Sequence, residues 1–103
     1  ASLDGVEMPS QVLDVIVSLV RATRQEPWSQ ELEQGASVRA GLALYEKVQA
    51  MALLKGRPRA ALEDIRTVAA SAMTTRIRPA PESKYYDDAQ GLIDALVQEI
   101  LGK

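Results

Sequence analysis

Residues 38–55, VRAGLALYEKVQAMALLK, limit the architecture more than any other stretch of this chain. Leu42, Ala43, Leu44, Val48, Met51, Ala52, Leu53 and Leu54 surround the axis at helical spacing, leaving Glu46, Lys47 and Gln49 on a narrow polar strip. A helix apolar on most sides belongs among other helices, because no single contact covers it. Gly56 follows the last apolar residue, where glycine ends helices readily. The stretch therefore predicts a central helix over 38–55 and requires neighbours to bury it.

Three further segments supply those neighbours. Residues 10–24 carry Val12, Leu13, Ile16, Val17, Leu19 and Val20 on one broad face, after Pro9 and Ser10 and before Arg21 and Arg24. Residues 62–75 carry Leu62, Ile65, Val68, Ala69, Ala72 and Met73, with Glu63 and Asp64 in the first turn, where the helix dipole favours anions. Ala61 stands at the capping position with no side-chain acceptor, which predicts a fraying end. The last helix is expected from Asp87, with Asp87 and Gln90 as a capping-box-like pair. Its apolar face is Leu92, Ile93, Leu96, Val97, Ile100 and Leu101, and Gly102 ends it.

Between these segments lie two irregular loops, QEPWSQELEQGA and RIRPAPESKYY, and no strand-like alternation of useful length. Trp28 is expected to pack beneath the first loop, with a partner-facing role as the alternative, and Tyr85 and Tyr86 to seat the last helix. The expected fold is all-α: one small four-helix bundle spanning 1–103, in a chain of 103 residues with a single core. A start at Ala1 rather than methionine suits a piece of a longer protein.

The composition narrows the chemistry. Histidine and cysteine are absent, so the usual nucleophile–base pairs and thiolate or imidazole metal sites cannot be assembled. No apolar run reaches the roughly 18 residues of a membrane span, and the first ten residues lack a signal-peptide layout. A cytoplasmic location is the default expectation. Asp87 and Asp88 read as a helix cap rather than half a metal site, and Gly35, Gly41 and Gly56 lack P-loop spacing. The chain alone is expected to be inactive and to bind no metal. Residues 55–84 hold seven cations and three anions, leaving five cations and eleven anions elsewhere in a chain of net charge −2. That asymmetry admits a small helical module binding nucleic acid or protein, although the cations are scattered and little aromatic interleaving accompanies them.

Arg39 is the residue whose sign is out of place. It sits in the first turn of the central helix, two residues after Ser37, where unpaired N–H groups and the dipole repel cations. Two readings follow. Ser37, Arg39 and the free amides form a receptor for a phosphate, or Arg39 is solvated or paired with Glu31 or Glu33.

The order VLDVIVSLVRATR, a loop, GASVRAGLALYEKVQAMALLKGR and LEDIRTVAASAMTTRIR closely resembles the C-terminal lid of MoxR-type AAA+ ATPases across residues 12–78. The combination of VRATR, GASVRA and ALLKGR carries the resemblance. It departs from the family at Val38, where proline is common, and at Ala61-Leu62-Glu63-Asp64, which replaces Thr-Pro-Glu-Asp. The resemblance implies that Arg39 is the second sensor, reaching the γ-phosphate of ATP held with Mg²⁺ by an ATPase core absent from this chain. It also implies ring-forming neighbouring subunits, partners such as von Willebrand A-domain proteins, and a chaperone-like role in maturing or remodelling complexes. Arg76 and Arg78 would face the core, a neighbouring subunit or a client. The P-loop lysine, Mg²⁺-binding acids, first sensor and arginine finger have no counterpart here.

Overall fold

Four helices form in the expected order in the computed structural model, which describes residues 5–102: α1 (Ser10–Ala22), α2 (Val38–Leu54), α3 (Leu62–Met73) and α4 (Ala89–Leu101). α2 packs chiefly on α3, α3 on α4, and α1 touches α2 and α4, closing the bundle. The core is a single cluster in which Leu19, Leu44, Ile65, Met73, Leu92, Ile93 and Leu96 are fully buried. The fold is all-α, as the apolar periodicities require.

α2 ends as its sequence indicates. Gly56 takes φ 71°, a left-handed conformation open to glycine, and the following N–H groups turn back on the helix. Gly56 N–H donates to the Leu53 carbonyl at 3.0 Å and Arg57 N–H to the Ala52 carbonyl at 2.9 Å. These two bonds satisfy carbonyls that the helix itself leaves unpaired.

α3 begins differently from expectation. Ala61 offers no cap, yet the Asp64 carboxylate accepts the Ala61 N–H at 2.8 Å, supplying the returning half of a capping box. Asp64 is fully buried, and Arg57 clasps it from the turn after α2, with Nη1 at 3.0 Å from Oδ2 and Nη2 at 2.5 Å from Oδ1. A bidentate ion pair thus holds the end that local capping rules predict to fray. Ala61→Thr adds the missing acceptor and should stabilise the chain by about 1 kcal/mol. Thermal unfolding of the two forms checks this.

Five features depart from the sequence reading. α1 stops at Ala22, freeing Thr23 and Arg24 for other bonds, and α3 tightens into a 3₁₀ turn at Thr74–Arg76. α4 is capped by Asp88, whose Oδ1 accepts the Gly91 N–H at 2.9 Å, so the pair of Asp87 with Gln90 does not cap it. A two-stranded antiparallel ribbon joins β1 (Leu32–Gln34) to β2 (Arg78–Pro79), with Leu32 opposite Pro79 and Gln34 opposite Arg78. Strands of three and two residues are too short to show alternation. α2, finally, is not covered all round: Leu42 is 57% exposed and Leu54 80%.

The ribbon ties the two loops together. Ala80 N–H donates to the Glu31 carbonyl at 2.9 Å, and Ser83 Oγ to the Glu31 carboxylate at 2.5 Å. Trp28 is half-buried against the core, with its indole N–H shared between both Glu99 oxygens at 3.2 Å and its ring 6.3 Å from Tyr85. This is the packing role expected of it. Tyr85 helps seat α4, but Tyr86 is 61% exposed and does not.

Candidate functional site

The Arg39 end of α2 is assembled by the chain leading into it. Leu32 and Ala36 are buried, anchoring the loop, and Ser37 adopts extended backbone at the N-cap before the helix turns at Val38. The Ser37 carbonyl accepts from Ala40 N–H at 3.0 Å and Gly41 N–H at 3.3 Å, closing the first turn. Its hydroxyl makes no capping bond. Ser37, Val38 and Arg39 are all exposed.

Arg39 has no hydrogen-bond or ion-pair partner among the described residues. The two carboxylates that precede it in the loop are engaged elsewhere. Glu31 accepts from Ser83, and Glu33 faces Arg78 with 4.0 Å between Oε1 and Nη1. Carboxylate pairing is therefore not realised, and Arg39 stands solvated in the isolated domain, as both readings allow. A guanidinium in the first helical turn, beside unpaired N–H groups and an unused serine hydroxyl, can hold an anion with several donors at once.

Next to this turn lies an apolar groove of about 310 Å³ between α1 and α2. Leu13, Val17 and Val20 line it from α1 and Val38, Leu42 and Tyr45 from α2, with Arg21 at its edge. Val17 is 49% exposed and Val38 77%. Residues whose spacing marks them as core thus form an open surface, because periodicity identifies an apolar face without saying what covers it. The site combines an unpaired cation with a contiguous apolar patch.

The basic segment gives a contrasting picture. Lys55 lies 3.3 Å from Glu63, Arg57 pairs with Asp64, Arg59 lies 3.1 Å from Glu7, and Arg78 faces Glu33. Four of its seven cations therefore face carboxylates, leaving no continuous cationic track for a phosphate backbone. Arg76 is exposed at the end of the 3₁₀ turn.

Residues 21–98 match the family model of the AAA lid domain. The chain belongs to the AAA lid domain family. The lid is also similar to the crystal structure of a candidate ATPase from Cytophaga hutchinsonii, with TM-score 0.75 and 28% identity. The alignment covers 98% of this chain and 32% of that one, so the lid spans less than a third of that protein's length. No curated protein matches the chain.

Three residues of the lid's architecture escaped the sequence reading. Thr23 was visible only as part of VRATR, Arg24 also as a cation closing α1, and Asp64 as an acid in a first turn. No local pattern signalled the clasp between Arg57, just after the Gly56 turn, and Asp64. No helix of the lid is long and apolar enough to cross a membrane among the described residues.

Proposed function

We propose that this chain is the C-terminal, second-sensor lid of a MoxR-type AAA+ ATPase, coupling ATP binding and hydrolysis in a core domain to movement of lid and subunits. The observation that carries the reading is Arg39, a cation without an anion at a helix N-terminus, bordering an uncovered apolar groove. The family match and the similarity to a longer candidate ATPase favour the same reading.

In this reading Arg39 and Ser37 meet the γ-phosphate of ATP bound with Mg²⁺ by the core, within a subunit or across a subunit boundary. The guanidinium stabilises charge on the transferring phosphoryl group, and its contact is lost when phosphate leaves. The apolar groove faces the core, whose docking excludes water around the guanidinium and strengthens its electrostatic effect. Nucleotide state then sets lid position, because only the triphosphate supplies the anion Arg39 lacks. A ring of such subunits would perform chaperone-like remodelling in the cytoplasm, with von Willebrand A-domain proteins as partners.

Leu42→Asp tests the docking half of this reading. The side chain is more than half exposed in the lid, so the lid's melting temperature should shift by no more than about 3 °C. ATP turnover of the full-length protein should fall by about tenfold, since a carboxylate would be buried at the docking surface. Unchanged turnover would remove the groove from the account.

A further inference from the structure

Ala36, which precedes the N-cap of the helix that carries Arg39, is held at both its N–H and its carbonyl by the end of α1. Thr23 Oγ1 accepts the Ala36 N–H at 2.9 Å and donates to the Val20 carbonyl at 2.7 Å. Arg24 Nε donates to the Ala36 carbonyl at 2.8 Å. Thr23 is 1% exposed and Ala36 fully buried, so the bond between them is shielded from water, while the Arg24 bond is partly buried.

Gly35 is part of the same fastening. A Cβ at that position would lie 2.8 Å from the Thr23 carbonyl oxygen, a backbone atom, and 3.2 Å from Thr23 Oγ1. The loop therefore lies closer to the end of α1 than any residue with a side chain would allow. Thr23, Arg24 and Gly35 thus converge on the backbone of a single residue, Ala36.

We propose that Thr23 and Arg24 are positioning residues for Arg39, forming a buckle that fixes where α2 begins and so where the guanidinium meets the nucleotide. Only three positions separate the buckled Ala36 from Arg39. A buried residue fixed at both its N–H and its carbonyl leaves Ser37 as the joint between α1 and the first turn of α2. Movement of α1 is thereby transmitted to Arg39 without passing through the exposed ribbon. Misplacing a catalytic cation by about 1 Å costs rate rather than fold, since phosphoryl transfer depends on alignment. The role rests on the second-sensor reading of Arg39, and its test separates the two.

In the full-length protein, kcat and KM for ATP would be measured for Thr23→Val, Thr23→Ser, Arg24→Ala, Arg39→Ala and the double variant Thr23→Val with Arg39→Ala. Hydrogen exchange at the Ala40 amide, bonded to Ser37, would be followed in parallel. Arg24 is exposed, so Arg24→Ala keeps the core intact even if Thr23→Val proves unstable. Thr23→Val and Arg24→Ala are expected to lower kcat by about tenfold with KM little changed. Exchange at Ala40 should quicken by about tenfold. Thr23→Ser keeps the hydroxyl and should stay within about twofold of wild type. The double variant should be no slower than Arg39→Ala alone, as residues acting through one group do not add.

An additive loss in the double variant, or unchanged exchange at Ala40, would overturn the buckle. If Arg39→Ala is impaired and Arg24→Ala is not, the positioning role fails alone. If Arg39→Ala turns over ATP like wild type, the sensor reading fails and the positioning role falls with it.

Discussion

Replacing Arg39 with alanine in the full-length protein is expected to lower ATP turnover by about 100-fold while leaving the melting temperature within about 2 °C of wild type. The two effects separate because of where the residue lies. Arg39 is exposed and makes no hydrogen bond or ion pair among the described residues, so the lid loses no internal contact when it is truncated. A cation in the first turn of a helix is, if anything, slightly unfavourable to the isolated fold. In the proposed function its worth lies in charge that develops on a phosphoryl group. Donors fixed in a water-excluded site before reaction stabilise such charge strongly, and loss of one costs roughly 10²–10³ in rate. Arg39→Lys should recover only part of the loss, since lysine keeps the charge but not the planar fork. A steady-state ATPase assay alongside thermal unfolding checks both halves.

Asp64→Ala should do the opposite, destabilising the lid by about 3 kcal/mol. In a domain of this size that lowers the melting temperature by about 15 °C. Truncation leaves the Arg57 guanidinium without its bidentate partner and removes the only side-chain acceptor on the Ala61 N–H among the described residues. Arg57 is partly solvated, which keeps the effect at the lower end for a broken buried pair. Burial alone would raise the Asp64 carboxyl above its ordinary value near 3.8. The Arg57 hydrogen bond, the Ala61 N–H and the charges of Arg57 and Lys55 together outweigh that and hold it lower.

The sign of the pH dependence follows. A carboxyl with a depressed folded-state pKa stabilises the fold fully above its unfolded value and loses that contribution as pH falls through the folded one. The wild-type lid should therefore lose stability below about pH 4. Asp64→Ala, already lacking the pair, should show a shallower fall. Thermal melts between about pH 2 and pH 7 measure the difference.

Those two residues also mark where sequence reading succeeds and stops. The faces of α3 and α4 were legible because each burial pattern is local. Ile65, Val68, Ala69, Ala72 and Met73 recur at helical spacing and are buried, as are Leu92, Ile93, Leu96 and Val97. Gly56 was legible for the same reason, since a left-handed residue after an apolar run has few alternatives. Asp64 was hidden because the helix dipole already explained an acid in that turn, and nothing local signalled that Arg57 would reach it. Asp87 and Asp88 differ by one residue, less than capping patterns resolve.

The groove was hidden for a different reason. Leu13, Val17 and Leu42 satisfy the same periodicity as their buried neighbours, and only packing shows that no helix among the described residues covers them. Such a pattern is what a domain that docks on another should display: one apolar face closed within the fold and another left for its neighbour. Arg39 is its electrostatic counterpart, a charge with no complement among the described residues. The Thr23–Arg24 buckle could not be read either, since threonine and arginine at a helix end usually serve that helix.

The most direct test of the account is a structure of the full-length protein with a non-hydrolysable ATP analogue and Mg²⁺ bound. The account predicts the Arg39 guanidinium about 3 Å from a γ-phosphate oxygen, with Leu13, Val17 and Leu42 covered by the core. Arg39 left in solvent, more than about 6 Å from the phosphate, would contradict it.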